Sequence, residues 1–329
     1  MNFKQLLLFC VSAATSLSAI ASQPMVKPAP LQPGDTIAII SPASCPKAED
    51  IEAACEVFRS WGYVPVKGPN VLTEFGTFAG TIEQRLSDLK WAFETPGVKA
   101  IVCGRGGYGS VQLLCLLPDG YFAEHPKWLA GYSDITAIHG AMSRQGVMSI
   151  HSHMCGPIGK FQGTDTLSVM LHDILRGKLP VYKVPAHPHN QEGCVKGTLI
   201  GGNLTVINDM AATRYDLCDI ENPILFIEDV NENLEAINRG IYRLKCAGVL
   251  DRIRGLVVGS FTHADPNPDF ETADDVVHSI IKEYNIPVCY GFPVGHIDEN
   301  VPLIEGAPAM LSVTPDGATL RYLPNNPRH

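Results

Sequence analysis

A turn from a strand into a helix is predicted at residues Trp128–Asp134, which read WLAGYSD. The first three residues are apolar, as expected for a short buried strand, and Gly-x-Ser follows them directly. α/β enzymes use this pattern to present a serine on a sharp strand-to-helix turn, with its hydroxyl exposed. Residues 135–142 favour the helix. We therefore expect an α/β fold with Ser133 as a candidate nucleophile; a serine that only caps the next helix fits the same pattern.

The residues on either side of this turn alternate between apolar runs and helical segments. Short connections between alternating strands and helices are typical of a doubly wound parallel sheet. The strands predicted up to this turn are Thr36–Ile40, Tyr63–Val66, Val98–Cys103 and Trp128–Ala130, with helices at 48–61, 82–93 and ending near 117. After residue 193 the alternation returns and predicts a C-terminal α/β domain with strands at 195–200, 224–228, 255–259 and 287–291 and helices at 234–247 and 273–284.

The length supports two domains, because a single hydrophobic core stops growing near about 250–300 residues and this chain has 329. The composition changes in a segment that contains prolines and histidines and ends near residue 193. We therefore divide the chain into a leader (1–21), a tether (22–33), an N-terminal α/β domain (34–165), a linker (166–193) and a C-terminal domain (194–329).

The leader has the three parts of a secretory signal peptide. Lys4 precedes an apolar centre, and a tract of small residues ends in Ala19-Ile20-Ala21. We predict cleavage after Ala21 and export to the periplasm. A lipid anchor is disfavoured because Phe9 precedes Cys10, where a lipoprotein signal has a small residue. The alternative is an N-terminal helix of the fold.

Composition excludes several kinds of partner. A net charge of −9 without a basic run argues against nucleic acid and anionic membrane surfaces. No internal stretch approaches the roughly 18 apolar residues of a membrane-spanning helix. Of the ten cysteines, all but Cys10 follow the predicted cleavage site, so at least one thiol stays unpaired. The absence of Cys-x-x-Cys weakens a zinc or redox site and favours buried thiols.

A glycine-rich segment, Gly104–Gly109, follows the third predicted strand and reads GRGGYG. It matches the G-x-G-x-x-G fingerprint of dinucleotide-binding domains. That fingerprint normally follows the first strand of its domain and is paired with an acidic residue at the end of the next strand. Here the next strand leads to Ser133. Because glycine-rich turns expose backbone N–H groups, we favour a loop that cradles a developing oxyanion.

Two later residues complete a candidate hydrolytic triad. Glu228 ends an apolar strand, where an unpaired carboxylate would be costly, and His296 lies in a loop after the strand predicted at 287–291. With Ser133 they occur in the order Ser…acid…His, as in α/β hydrolases. The triad would assemble across the two domains. Taken singly, Glu228 is explained by pairing with an arginine and His296 by exposure in a loop.

The sequence also contains two histidine pairs, His151-x-His153 and His187-x-His189. Each offers two metal ligands, but neither has an evident third ligand, and the second pair flanks a proline in the linker. We therefore expect structural or solvated histidines and no metal or organic cofactor. Asp134 is expected to form the turn after Ser133 and to supply a backbone donor.

Taken together, these residues resemble the LD-carboxypeptidase family of serine peptidases, which includes the microcin C self-immunity peptidases. The resemblance extends over essentially the whole chain after the leader. It is carried by an ordered set of segments: Ile37–Ala43, Arg85–Leu89, Arg105–Gly109, Gly131–Thr136, Gly201–Leu204, Leu225–Asp229, Leu244–Leu250 and Gly295-His296.

The resemblance implies a two-domain fold with the active site at the domain interface, a triad of Ser133, Glu228 and His296, and often a homodimer. It implies an oxyanion hole formed by the backbone N–H groups of Gly107 and Asp134. The family's usual substrate is the peptidoglycan tetrapeptide stem, which is cut between an L-configured diamino-acid centre and the terminal D-alanine.

Contacts with this substrate are predicted for Arg105, Tyr108 and Asn203, with Arg105 as a candidate for the terminal carboxylate. Residues 297–300 and the triplet His151–His153 depart from the family's usual sequence, which leaves the exact substrate open. The alternatives are a serine peptidase that acts on a peptide antibiotic conjugate and a non-catalytic, exported solute-binding protein.

Overall fold

The computed structural model describes residues 25–324. The predicted signal peptide and its cleavage site lie outside these residues. No helix within residues 25–324 is long and apolar enough to cross a membrane. The described chain forms two sheets, one of six strands and one of seven, with helices packed against them. The prediction of a two-domain α/β fold is confirmed.

The elements up to residue 175 supply most of the first sheet and its helices. In chain order they are β1 (Thr36–Ile40), α1 (Ala48–Ser60), β2 (Val64–Lys67), α2 (Ile82–Glu94), β3 (Val98–Cys103), α3 (Ser110–Leu114), α4 (Tyr121–Glu124), β4 (Trp128–Gly131), α5 (Thr136–Arg144), β5 (Ser149–His151), α6 (Cys155–Lys160) and α7 (Thr166–Leu175). A single 3₁₀ turn, Ser133–Ile135, joins β4 to α5.

The remaining elements build the second sheet and one edge of the first. In chain order they are β6 (Val181–Pro185), β7 (Gly193–Asn203), α8 (Leu204–Met210), a 3₁₀ turn (Leu217–Asp219), β8 (Pro223–Val230), α9 (Leu234–Cys246), α10 (Val249–Arg252), β9 (Gly255–Thr262), α11 (Ala273–Ile281), β10 (Val288–Cys289), β11 (Leu303–Glu305), β12 (Pro308–Thr314) and β13 (Gly317–Tyr322).

The first sheet has the order β11-β5-β4-β3-β1-β2. Strands β1 to β5 are parallel to one another, as predicted for the first four. Strand β11 is antiparallel to β5 and comes from the C-terminal part of the chain, so the sheet is mixed at one edge. The predicted parallel sheet is thus extended by one antiparallel edge strand, supplied by three residues far along the chain.

The second sheet has the order β10-β9-β8-β7-β12-β13-β6. Strands β7 to β10 are parallel, whereas β12, β13 and β6 are antiparallel. The segment 166–193 contains α7 and β6 as regular elements. The domain boundaries given above stay a prediction, since β11 shows that the C-terminal part also completes the first sheet.

The two sheets share one hydrophobic core. A single cluster of buried apolar side chains contains Ile150 of the first sheet and Phe226 of the second. The apolar run that precedes Ser133 is fully buried, with Trp128 and Leu129 at 0 % exposure. Each such large side chain contributes about 1.5–3 kcal/mol relative to an exposed one, so the strand that carries the candidate nucleophile is held firmly.

Candidate active site

The candidate nucleophile lies at the carboxyl end of β4. The strand ends at Gly131, Tyr132 is extended, and Ser133 has φ +65°. A non-glycine residue in this left-handed region is strained and is held there by its surroundings. This backbone conformation is the one expected at the sharp strand-to-helix turn that the Gly-x-Ser pattern predicts. It leaves the Ser133 side chain half-buried at the start of the helix.

The second sheet brings a histidine and a carboxylate to this serine. The Nε2 atom of His296 lies 3.0 Å from Ser133 Oγ, and its Nδ1 atom lies 2.7 Å from Glu228 Oε2. Glu228 belongs to β8 and is fully buried, whereas the His296 side chain is 18 % exposed. The structure therefore brings together the three residues predicted from the order Ser…acid…His, although 163 positions separate the serine and the histidine.

The hydrogen bonds fix the tautomer of this histidine when Glu228 is ionised. A carboxylate only accepts hydrogen bonds, so His296 Nδ1 carries the proton and donates to Glu228. Nε2 then has a free lone pair that accepts from the Ser133 hydroxyl. Burial raises the pKa of the Glu228 carboxyl, and the hydrogen bond from His296 opposes that rise. The arrangement can remove a proton from Ser133.

The glycine-rich loop between β3 and α3 packs directly against Ser133. A Cβ atom on Gly106 would lie 3.0 Å from Ser133 Cβ. Gly107 has φ +112°, and a Cβ there would lie 2.0 Å from Ser44 Oγ. Only glycine fits at this position, because a side chain would meet both the strained backbone and Ser44. The loop is thereby positioned against the nucleophile, as expected for a loop that supplies backbone donors.

The side chain of Asp134 ties this loop to the nucleophile turn. Its Oδ2 atom accepts from the backbone N–H of Ser110 (2.8 Å) and from the Ser110 hydroxyl (2.6 Å). Within residues 25–324, the backbone N–H groups of Gly107 and Asp134 have no protein acceptor. Both predicted oxyanion donors are therefore available to a ligand. The sequence predicts that Asp134 forms a turn and supplies a backbone donor, but it gives no signal for the hydrogen bonds that its carboxylate accepts.

The three residues predicted to contact substrate have different surroundings. Arg105 is exposed, and its Nη1 atom donates to the Cys45 carbonyl at 3.3 Å. It lines a cleft of about 600 Å³ beside the glycine-rich loop, together with Ser44, Lys47 and Glu74. Tyr108 is 56 % exposed on the same loop.

Asn203, by contrast, is buried and already has partners on both polar atoms of its side chain. Its Nδ2 donates to Asp229 Oδ1 at 2.7 Å, and its Oδ1 accepts from the Val206 N–H and caps α8. These bonds give Asn203 a structural role next to Glu228, its register partner in the neighbouring strand. Substrate contact by Asn203 stays a prediction.

The two histidine pairs lie apart from the triad or behind it. His151 is buried, with Nε2 3.2 Å from Asn300 Oδ1. His189 pairs with Asp275 at 3.0 Å and His187 lies 3.5 Å from Asp274. Residues 25–324 contain no group of three or more ligands arranged to hold a metal ion. The nine cysteines of this part of the chain are free thiols.

Comparison with known proteins places this site in a family. Residues 37–152 match the LD-carboxypeptidase N-terminal domain, and residues 196–311 match the LD-carboxypeptidase C-terminal domain. A putative carboxypeptidase of Synechocystis sp. is 33% identical over 91% of this chain and 97% of its own length. The murein tetrapeptide carboxypeptidase of Pseudomonas aeruginosa is 31% identical over 87% of this chain and 94% of its own length.

Solved structures agree with these sequence matches. The muramoyltetrapeptide carboxypeptidase of Oxalobacter formigenes superposes with a TM-score of 0.80 at 28% identity, over 87% of this chain and 98% of that one. The microcin C7 self immunity protein MccF, at 22% identity, shares the fold with a TM-score of 0.79 over 90% and 98% of the two chains. With both domains matched in order along the chain, the protein belongs to the LD-carboxypeptidase family of serine peptidases.

Proposed function

We propose that this peptidase hydrolyses the amide bond to the terminal D-alanine of peptidoglycan tetrapeptide stems, with Ser133, His296 and Glu228 as its catalytic residues. The observation that carries the chemistry is the pair of contacts at 3.0 Å and 2.7 Å that joins the three side chains across the two sheets. The substrate class is supported by the murein tetrapeptide carboxypeptidase of Pseudomonas aeruginosa.

The first half of the reaction acylates the serine. His296 takes the Ser133 proton on Nε2 while Oγ attacks the amide carbonyl carbon, and Glu228 stabilises the cationic imidazole. The oxyanion is bound by the N–H groups of Gly107 and Asp134, each worth about 3–4 kcal/mol if it acts as measured oxyanion-hole donors do. His296 then protonates the departing amine, and D-alanine leaves.

The second half restores the enzyme. Water replaces D-alanine, His296 removes a proton from it, and the resulting hydroxide attacks the acyl carbon bound to Ser133 Oγ. The bond between the acyl carbon and Ser133 Oγ then breaks, His296 returns the proton to Oγ, and the shortened peptide leaves with a new carboxylate. During acylation the carboxylate of the terminal D-alanine needs a cationic or N–H partner, and the exposed position of Arg105 beside the glycine-rich loop supports its assignment to this role.

The chemistry is tested with purified tetrapeptide muropeptides. We expect the protein to release D-alanine, seen as the matching loss of mass, and Ser133→Ala to lower turnover by about 10³-fold or more with an unchanged thermal midpoint. Ser87→Ala, at an exposed position of α2, is the matched control. Half the wild-type rate in Ser133→Ala would rule out the triad. Cleavage of a peptide antibiotic conjugate but not of muropeptides would favour the alternative peptidase function.

Export is a separate part of the proposal, supported by the leader sequence. We expect a periplasmic extract of an expressing Gram-negative host to contain a protein whose N-terminal residue is Ser22, because cleavage follows Ala21. A variant with Lys4 and the apolar residues 6–8 replaced by Ser should stay in the cytoplasm with its full mass. Recovery of the full-length wild-type chain from the cytoplasm alone would contradict export. The proposed homodimer is checked by light scattering on the same material.

A further inference from the structure

The loop that carries His296 connects the two sheets. It covers residues 290–302, between β10, which pairs with β9 in the second sheet, and β11, which pairs with β5 in the first. Ser133 follows β4 of the first sheet, and Glu228 lies in β8 of the second. The loop must therefore hold its histidine at hydrogen-bonding distance from groups on two different sheets.

We propose that Asn300, held by His151, is a positioning residue that fixes the peptide between Val294 and Gly295 and so directs the imidazole of His296 toward Ser133. This inference rests on the proposed function, because it assigns a role in the activation of Ser133. It concerns two buried side chains that do not touch the triad's reacting atoms.

The hydrogen bonds around Asn300 define its orientation. Asn300 is 1% exposed, and its Oδ1 lies 2.9 Å from the Gly295 backbone nitrogen and 3.2 Å from His151 Nε2. An N–H group can only donate, so the Asn300 atom that faces Gly295 must be the oxygen. The same oxygen faces His151, so Nε2 of that ring carries a proton and donates. One acceptor thus joins the histidine loop to the first sheet.

The peptide that Asn300 holds lies against the acid of the triad. Gly295 has φ +129°, and a Cβ there would lie 2.9 Å from Glu228 Cβ and 3.1 Å from its Oε2. A rotation of this peptide would move His296 relative to Glu228 and Ser133 together. Because catalysis depends steeply on geometry, a displacement of about 1 Å can cost about 100-fold in rate.

His151 is suited to act as a fixed anchor. It belongs to β5, directly opposite Gly131 of the strand that presents Ser133. Its ring is fully buried and packs edge-on against Tyr132 (5.8 Å between ring centroids) and Phe226 (5.2 Å). Burial lowers the pKa of His151 to about 3, so the ring is neutral over the pH range in which a serine–histidine pair works. The strand beside the nucleophile therefore also holds the loop of its base.

The test compares variants at both ends of the hydrogen bond. Asn300→Ala should lower both the rate of Ser133 labelling by a fluorophosphonate and kcat for the tetrapeptide by about 10- to 100-fold, with KM within about twofold. His151→Phe should act in the same direction. His151→Gln should restore most of the rate, because its amide N–H lies close to the position of Nε2. The double variant His151→Phe/Asn300→Ala should be no slower than Asn300→Ala, since both changes break the same hydrogen bond between the two side chains.

Stability is controlled with a variant outside the site. Asn233→Ala removes the N-cap of α9, where Oδ1 accepts from the Ala236 N–H at 2.8 Å, and should lower the thermal midpoint without changing the labelling rate. If Asn300→Ala labels at the wild-type rate, or slows only as far as its lost stability accounts for, the inference is wrong. If Asn300→Ala does not fold, the comparison of His151→Phe with His151→Gln decides, and equal rates would overturn it.

The proposed function and the role of Asn300 would be contradicted by different results. A wild-type protein that does not react with the fluorophosphonate would contradict the proposed function itself. A wild-type protein that reacts, together with an Asn300→Ala variant that reacts equally fast, would leave the proposed function intact and remove only the role of Asn300.

Discussion

At the scale of single residues, the site is built on a carboxyl group that the fold does not favour energetically. Glu228 is fully buried at the end of an apolar run in β8, and burial raises its pKa. The ionised form is therefore less stable in the folded protein than in water. Ionisation of a buried carboxyl lowers the stability of the folded protein. Such a cost is expected at an active site, where the charge takes part in catalysis.

Glu228→Gln separates the effect of the buried charge on stability from its effect on catalysis. We expect kcat to fall by about 10²- to 10⁴-fold, because a neutral amide does not stabilise the cationic imidazole. At pH 7 we expect the variant to unfold at an equal or higher urea concentration than the wild type. A raised folded-state pKa destabilises only where the carboxyl ionises, so this advantage should shrink as the pH falls toward 4.5. Kinetics on tetrapeptide and urea unfolding at several pH values check both parts.

The exposed Glu271 provides the matched control. Glu271→Gln removes a carboxylate from the surface and should keep the wild-type kcat and unfolding midpoint. A Glu228→Gln variant with wild-type kcat would contradict the role of the acid, and one that is clearly less stable at pH 7 would contradict the stated cost of its burial.

At the scale of elements, the nucleophile turn and the glycine-rich loop are held as one unit. The carboxylate of Asp134, one residue after Ser133, fastens the start of α3 through two hydrogen bonds from Ser110. Gly107 lies between β3 and α3, so its N–H is positioned from both ends of the loop. The Asp134 side chain thus links the two backbone donors proposed for the oxyanion.

Asp134→Ala should therefore displace the Gly107 donor without touching the Ser133–His296 contact. Loss of one oxyanion donor costs about 10²- to 10³-fold in kcat, and we expect a decrease of this size with little change in KM. Ser110→Ala keeps the backbone N–H donor and should lose less. Steady-state kinetics on the three proteins give the order wild type, Ser110→Ala, Asp134→Ala. An Asp134→Ala variant as fast as the wild type would show that the loop holds its shape by itself.

The elements that the sequence predicts well are those whose signals are local. Strands β1 and β3 have the predicted bounds, because apolar runs act over a few residues. The three candidate triad residues also carried signals of this kind: a Gly-x-Ser turn, an acid at a strand end and a histidine in a loop. Their contacts with one another depend on how the sheets pack.

What the sequence did not predict depends on pairing between distant segments. Strand β11 has only three residues, and nothing in them indicates that they pair with β5 in the first sheet. The bond from His151 to Asn300 is of the same kind. The sequence places both residues near candidate features, but only the packed structure brings their side chains to 3.2 Å.

At the scale of the whole molecule, buried ionisable groups lie where the two halves of the chain meet. His139 of α5 is fully buried beneath the nucleophile turn; its Nε2 donates to the Gly131 carbonyl at 3.0 Å and its Nδ1 accepts from the Ser149 hydroxyl at 2.8 Å. The carboxyl of Glu305, from β11, lies 4.0 Å from the same ring. Burial lowers the pKa of His139 to about 4 and raises the pKa of Glu305 well above its usual range.

The lowered pKa of His139 predicts a loss of stability in acid. As the pH falls from 6.5 to about 4, an unfolded chain binds a proton at residue 139 and the folded protein does not, so the free energy of unfolding decreases. The raised pKa of Glu305 acts in the opposite direction, because the folded protein binds that proton more tightly than the unfolded chain does. At about 1.4 kcal/mol per pH unit, His139 alone accounts for a loss on the order of 3 kcal/mol at pH 4.

His139→Gln removes this titration while keeping an N–H donor toward Gly131. We compare the free energy of unfolding in urea at pH 7, 5.5 and 4. Between pH 7 and pH 4 the difference between variant and wild type should shift by about 3 kcal/mol in favour of the variant, because glutamine does not ionise. His263→Gln, at an exposed position after β9, is the matched control and should keep the wild-type pH slope. Equal slopes for His139→Gln and the wild type would mean that other groups cause the acid sensitivity.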